Sequence, residues 1–296
     1  MKKFIFILLA LQVFISVSTP VFGCTSFAVY EGKPIYGMNF DYPRNVELKF
    51  VISTHGNLKT FHLDFFVKDK KFWAATAGMN SYGLFSSLQL EYPAPDKFIN
   101  PGTDTLYLWD LCNIASIEFD KTEKIINFLE NKRLIQSPDL ILHYLFADIN
   151  GKAITVEAGD EGNFIAKIQG KYHVMTNFPV RNFVDKPYEE VVGAGDERYK
   201  IVHRYLEKHA KEFDVNHALI LLQAAVNTYE GYPTRSSMVF VSTAKVIYIA
   251  LEENFNKIWK VSLDEETIET FRGFKTSLKY PLNEKGILGS ELCSHE

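Results

Sequence analysis

Between Cys24 and about Leu90 the apolar and polar positions alternate in short runs broken by turn residues: Thr25 to Tyr30, Pro34 to Phe40, Leu48 to Thr54, Lys59 to Phe65, Phe72 to Thr76 and Leu84 to Leu90. A period of two over runs of this length predicts half-buried antiparallel strands. From Thr103 to Lys132 the period lengthens to that of a helix, with Leu106, Trp109, Ile114, Ile117, Ile125, Ile126 and Leu129 in register. Two helices are expected there, the second started by Asp120 with Glu123 in its capping box. Strands resume over Leu140 to Ile149, and Asn150-Gly151 predicts a hairpin into Ala153 to Glu157, followed by Phe164 to Ile168 and Tyr172 to Thr176. Residues 195–211 and 214–227 read as helices, the second capped by Asp214, before Ser237 to Ser242, Val246 to Leu251 and Ile258 to Val261 close the domain as strands. This order predicts an α+β protein in which helices pack outside two antiparallel sheets, an αββα four-layer sandwich.

The first residues follow neither period. Lys2 and Lys3 precede an apolar run, Phe4 to Val17, of about 14 residues where a membrane span needs about 20. Ser18-Thr19-Pro20 then leads to Val21 and Gly23, which take the third and first positions before a cut, where small residues are wanted. Residues 1–23 are therefore expected to be a signal peptide. Residues 24–296 remain as one domain of 296 − 23 = 273 residues, exported to a periplasm or the extracellular medium. With 47% hydrophobic residues this domain can bury a large core, and a net charge of −4 gives no basic footprint for nucleic acid. Three cysteines, Cys24, Cys112 and Cys293, are too few for a disulfide framework. Cys112 falls in a helical run and reads as a buried structural thiol, and Cys293 in a polar tail that is expected to fray.

Cys24 stands where the leader would be cut. Once at the chain start it carries both a thiol, of reference pKa about 8.5, and an α-amine, of reference pKa about 7.7–8.0, so the amine can act as the thiol's base. Lipid modification of the same cysteine would consume both groups and is the only route by which a membrane enters. Phe22 speaks against it, because that type of cleavage prefers small residues just before the glycine.

Five segments in order, Cys24-Thr25-Ser26-Phe27, Gly37-Met38-Asn39-Phe40-Asp41, Gly78-Met79-Asn80-Ser81-Tyr82-Gly83-Leu84, Met175-Thr176-Asn177-Phe178-Pro179 and Asp196-Glu197-Arg198-Tyr199, resemble the motifs of the choloylglycine hydrolase family. That family belongs to the N-terminal nucleophile hydrolases and includes conjugated bile acid hydrolases, penicillin V acylases and related linear amide hydrolases. The similarity runs through nearly all of the mature chain, to Thr234-Arg235-Ser236-Ser237. It implies Cys24 as the nucleophile, Asp41 as the carboxylate that holds the α-amine, Asn177 as a side-chain oxyanion donor and Arg198 as the cation that steadies the network. Asn80 and Gln89 are the candidates for substrate contact. Asn80 also reads as a turn residue, and Gln89 stands near where some members place a second donor. The expected reaction is hydrolysis of a small-molecule N-acyl amide without metal or organic cofactor. Acyl transfer to an amine, a lipid-anchored binding protein and a homo-oligomer are left as alternatives.

Met38 departs from the pattern, since many relatives have arginine there beside the thiol; Arg44 or Arg235 is the expected replacement for part of that charge. Gly193-Ala194-Gly195 only mimics a dinucleotide fingerprint, because Arg198 occupies the third glycine position. His203, His209 and His217 lack the one-turn spacing of metal ligands on a single helix.

Overall fold

Two eight-stranded antiparallel sheets face each other across a layer of apolar side chains, with helices against both outer faces. The computed structural model describes residues 23–93, 104–136, 141–159 and 162–295, so the leader expected upstream of Gly23 lies outside the described residues. The first half comprises β1 (Thr25–Val29), β2 (Ile35–Asp41), β3 (Leu48–His55), β4 (Leu58–Val67), β5 (Phe72–Asn80), β6 (Phe85–Leu90) and β7 (Thr105–Tyr107). It continues with α1 (Leu108–Glu118), α2 (Thr122–Leu129), β8 (Arg133–Ile135), β9 (Leu142–Asp148), β10 (Lys152–Ala158), β11 (Asn163–Lys167) and β12 (Tyr172–Met175). Then follow α3 (Asp196–His209), α4 (Val215–Ala224), β13 (Thr234–Val241), β14 (Val246–Leu251), β15 (Asn254–Ser262), β16 (Thr267–Arg272), β17 (Lys279–Pro281), β18 (Ile287–Leu288) and α5 (Gly289–Cys293).

The first sheet has the order β12-β1-β2-β13-β14-β15-β16-β17 and the second β11-β10-β9-β6-β5-β4-β3-β18. Alternation along each strand divides the apolar residues between two layers. In β1 and β2, Ala28, Tyr36, Met38 and Phe40 face the second sheet, whereas Phe27, Val29 and Ile35 face α3 and α4. The inter-sheet layer is rich in aromatics, with Phe50, Phe61, Phe85 and Phe240 fully buried. Each such side chain contributes about 1.5–3 kcal/mol by leaving water, and this layer fixes the sheets against each other. Helices α1 and α2 cover the second sheet through Leu108, Leu111, Cys112, Ala115, Ile125 and Leu129. The αββα sandwich expected from the pattern is the observed architecture, and Cys112 is indeed buried.

Two local expectations change. Asp120 does not cap α2; Lys121 is the cap residue, and the Asp148 carboxylate accepts from Thr122 N and Oγ1, both at 2.8 Å. A long-range partner replaces the local capping box. The domain also does not close at Val261. β16 and β17 extend the first sheet, and β18 with α5 returns to the edge of the second, where Leu292 is buried. Cys293 is thus an exposed position on α5 rather than part of a frayed tail. Asp214 does cap α4, accepting from His217 N at 2.8 Å. Among the described residues no helix is long and apolar enough to cross a membrane.

Candidate active site

The strand register assembles the site. β1 lies between β12 and β2, and β13 lies beyond β2. The pairings Ser26 with Met175 and Thr25 with Asn39, continued past the strand start, bring Asn177 to one side of Cys24 and the end of β2 to the other. Thr234 is in turn paired with Asp41. Four neighbouring strands therefore deliver Asn177, Cys24, Asp41 and Thr234 side by side at one end of the sandwich, and α3 supplies Arg198 from the outer face.

The contacts are short and almost fully buried. Cys24 N donates to Asn177 Oδ1 at 2.9 Å. Arg198 Nη1 donates to Cys24 O and Thr25 Oγ1, both at 2.7 Å, and lies 3.5 Å from Asp41 Oδ2; Arg198 Nη2 donates to Asn177 Oδ1 at 3.0 Å. Thr234 Oγ1 donates to Asp41 Oδ1 at 2.6 Å. Asn177 Nδ2 donates to Leu90 O at 2.8 Å, and with two donors on the Asn177 oxygen its amide has one consistent orientation, leaving the second Nδ2 hydrogen unassigned. One guanidinium thus ties together the backbone of Cys24, the amide of Asn177 and the carboxylate of Asp41.

Burial dominates the electrostatics. It pushes the Cys24 thiol up to about 12, helped by the Asp41 charge and opposed by the Asp41 backbone N–H and by Arg198. A thiol in that state is a poor nucleophile unless a base beside it takes the proton. Burial also raises Asp41 to about 8, against the pull of Arg198 and the Thr234 hydroxyl. Here Cys24 N is a peptide nitrogen joined to Gly23. A positive charge placed there would favour ionised Asp41 and an ionised thiol alike.

The space around Arg198 is made by glycines. A Cβ at Gly23 would meet Arg198 Nη2 at 2.2 Å, and one at Gly195 would meet Nη2 at 2.8 Å and Thr176 Cβ at 3.0 Å. Gly195 has φ +78 at the start of α3, which suits glycine on both counts. Of the glycines that mimic a nucleotide fingerprint, Gly195 thus admits a guanidinium, whereas Gly193 lies against Phe178.

A cavity of about 230 Å³ opens at Cys24, lined by Gly23, Phe40, Asp41, Tyr42, Phe65, Thr76, Leu88, Leu90, Trp109, Leu142, Asn177 and Tyr232. Among the described residues, Asp41 is its one charged wall residue. Of the other candidates, Gln89 does not reach it. Its side chain bridges β1 and β12, with the amide oriented so that Oε1 accepts from Ser26 Oγ at 2.7 Å and Nε2 donates to Thr176 O at 2.9 Å. Asn80 is also away from the cavity. Its Nδ2 donates to Ser116 O and Phe119 O, and its Oδ1 accepts from Tyr82 N and Leu84 N, so it joins the end of α1 to the β5–β6 turn. Both read as structural because their polar atoms are spent on bonds within the fold. Met38 is fully buried in the inter-sheet layer. Neither expected replacement charge reaches the thiol: Arg44 pairs with Glu252 and Glu253, and Arg235 with Glu252, Pro43 O and Val46 O. Thr234 and Thr25 are contacts of the network to which the sequence assigned no role, and only their membership in the motif segments pointed to them. His203 packs against Tyr188 and Tyr199, and His217 bonds to Asp214, so neither serves the site.

No family model matches the chain, and no curated protein matches it. Among solved structures, two variants of the conjugated bile acid hydrolase of Clostridium perfringens superpose with TM-scores of 0.63 and 0.64 at 17% identity. They cover 88% of this chain and 97% and 98% of theirs. The penicillin V acylase of Agrobacterium tumefaciens superposes with a TM-score of 0.61 at 15% identity, covering 84% of this chain and 91% of its own. These likenesses establish a shared fold over most of the molecule, the one that the sequence motifs implied.

Proposed function

We propose that the chain is an exported N-terminal cysteine hydrolase of the choloylglycine hydrolase family, cut before Cys24 and acting on a non-peptide linear amide of an N-acyl substrate. The observation that carries this reading is the convergence of Cys24, Asn177, Arg198 and Asp41 at the mouth of an apolar cavity. The burial of Cys24 at 6% exposure, hydrogen-bonded at the start of an interior strand, favours catalysis over a lipid anchor, which would need the sulfur at the surface. Removal of Gly23 would leave an amine where the peptide nitrogen now bonds to Asn177, in reach of the thiol proton.

In the first half-reaction the Cys24 sulfur bonds to the amide carbonyl carbon while the amine takes the thiol proton. The resulting oxyanion is met by the free Asn177 Nδ2 hydrogen. Collapse breaks the C–N bond, and the proton held by the amine passes to the leaving nitrogen. Water then attacks the thioester, with the amine again as base, and releases the acid and the thiol. Asp41, held by Thr234 and Arg198, would fix the position of the ammonium. Because the described cavity wall is mostly apolar, with Phe40, Tyr42, Phe65, Leu88, Leu90, Trp109 and Tyr232 and no cation among the described residues, the acyl group is read as apolar and uncharged.

The test is an intact-mass measurement of the exported chain together with a panel of bile acid conjugates, phenoxyacetyl amides and long-chain N-acyl amines. A chain starting at unmodified Cys24 that hydrolyses one of these amides, and loses the activity as Cys24→Ala, supports the reading. A lipid-sized mass increment, or turnover that survives Cys24→Ala, refutes it.

A further inference from the structure

The layer between the sheets is mostly apolar, and along one edge the inner faces of β6, β9 and β10 present a seam of polar groups to β1 and β12. Gln89 bridges Ser26 and Thr176, and Thr155 Oγ1 lies 2.8 Å from His173 Nε2. At its end the seam carries Glu91, His143 and Glu157, all 2% exposed or less, with the Arg181 guanidinium between the two carboxylates. These three are the one group among the described residues whose ligand atoms all lie within 4.8 Å of one another. The cation they hold is the arginine.

The contacts of this cluster converge on the turn that carries Asn177. Glu157 accepts from two consecutive backbone N–H groups, Val180 N at 2.6 Å and Arg181 N at 3.2 Å, and from Arg181 Nη1 at 3.0 Å. Arg181 Nη1 reaches on to Glu91 Oε1 at 2.7 Å. The residues flanking Glu91 hold Asn177 itself: Leu90 O accepts from its Nδ2, and Tyr92 N donates to its backbone O at 2.6 Å. His143 Nδ1 lies 3.2 Å from Glu157 Oε1 and braces that carboxylate from β9. A closed circuit results, from Asn177 through Val180 and Arg181 to Glu157 and Glu91 and back through Leu90 and Tyr92.

Stability alone does not account for such a cluster. Two buried carboxylates paired with one partly exposed guanidinium often stabilise a fold no more than apolar residues of the same volume would. What the cluster supplies is geometry, since it anchors a turn of the first sheet to the rigid inner face of the second. We infer that Glu157, through Arg181 and Glu91, is a positioning residue for Asn177, setting where the Asn177 amide meets the oxyanion. This rests on the amidase reading only for its catalytic consequence. The mechanical part, that Glu157 holds the 177–182 turn, stands apart from it.

The test compares the processed wild type with Glu157→Gln, which keeps the shape but loses the charge and one acceptor. Backbone hydrogen exchange in the 177–182 segment is expected to rise by about 10-fold or more while the strands of the core keep theirs. On the phenoxyacetyl or long-chain amide that the wild type turns over fastest, kcat is expected to fall about 10- to 100-fold with KM held within about 3-fold, the signature of a displaced transition-state contact. Alkylation of Cys24 by iodoacetamide, which needs no oxyanion donor, should stay within about 2-fold. Unchanged exchange in 177–182, an unchanged kcat, or parallel loss of turnover and alkylation overturns the proposal. Glu91→Gln, which removes one arm and one of two like charges, decides the matter if Glu157→Gln fails to fold, with the same pattern expected at about 3- to 10-fold in kcat. A wild type that cleaves no amide refutes the amidase reading, and the exchange measurement still decides whether Glu157 holds the turn.

Discussion

A chain that begins at Gly23 and one that begins at Cys24 differ by a single residue, yet the geometry predicts a large difference in thiol reactivity. With Gly23 in place the Cys24 nitrogen is an amide, and the buried thiol is pushed up to about 12. At pH 7.5 such a thiol is ionised to about 3 × 10⁻⁵, against about 0.1 for a thiol at the reference value near 8.5, a ratio of about 3 × 10³. The more basic thiolate recovers part of this, because nucleophilicity rises with pKa with a Brønsted slope of about 0.45, or about 40-fold over about 3.5 units. The net advantage of the free amine is on the order of 100-fold if its charge fully offsets burial, and about 10-fold if it offsets half. The assay is the second-order rate of iodoacetamide alkylation of Cys24 in the two chains, read by intact mass, with Cys112 and Cys293 as internal references. Rates within about 3-fold of each other would show that the amine does not serve the sulfur, and the proposed catalytic pair would fall.

Asn177→Ala removes the proposed oxyanion donor and should lower kcat by about 10²- to 10³-fold with little change in KM, measured by steady-state turnover; a change in KM alone would reassign Asn177 to ground-state binding. Arg198→Met deprives the buried acceptors Cys24 O, Thr25 Oγ1 and Asn177 Oδ1 of their guanidinium donor and should cost about 3–5 kcal/mol in urea unfolding; a loss below about 1 kcal/mol would make the guanidinium peripheral. In the chain that keeps Gly23, Asp41 is raised from 3.8 to about 8 on folding. The folded state then binds the extra proton between these values, so stability should decline as pH rises from about 4 to about 8 and level off above. Asp41→Asn should flatten that decline in urea titrations at pH 5 and 8, and an unchanged slope would place its origin elsewhere. Met38→Arg puts an unpartnered guanidinium into the inter-sheet layer and should destabilise by about 3–5 kcal/mol, seen as a fall in Tm. An unchanged Tm together with new turnover of anionic acyl amides would mean instead that the arginine had reached the cavity.

The layers were legible in the sequence because period-two alternation along β1 to β6 and β13 and β14 encodes which face each residue takes. The helices were legible because α4 starts at a local cap, Asp214. Where the cap came from a distant strand, as Asp148 caps α2, local reasoning chose Asp120. It also stopped short at β16 to β18, whose short runs gain their order from edge pairing and from Ile268 and Leu282 buried between the sheets. The site divides in the same way. Cys24, Asp41, Asn177 and Arg198 were named from motif segments, and the register brings them together. Thr234 is paired with Asp41 across a strand boundary almost two hundred positions away, a relation no local pattern carries.

Gln89 and Asn80 show the complementary limit. A buried amide side chain is chemically suited to bind a substrate or to satisfy backbone, and only the neighbours decide which. Gln89 faces Ser26 and Thr176, and Asn80 faces the last turn of α1, so both are consumed by the fold. Asn177 differs because one of its amide hydrogens has no assigned acceptor while its oxygen is pinned by Cys24 N and Arg198. A donor held in place with a hydrogen to spare is what an oxyanion requires. The same logic makes Glu157 and Arg181 part of the question of rate, since the freedom of that hydrogen to point at the cavity is inherited from the turn they hold.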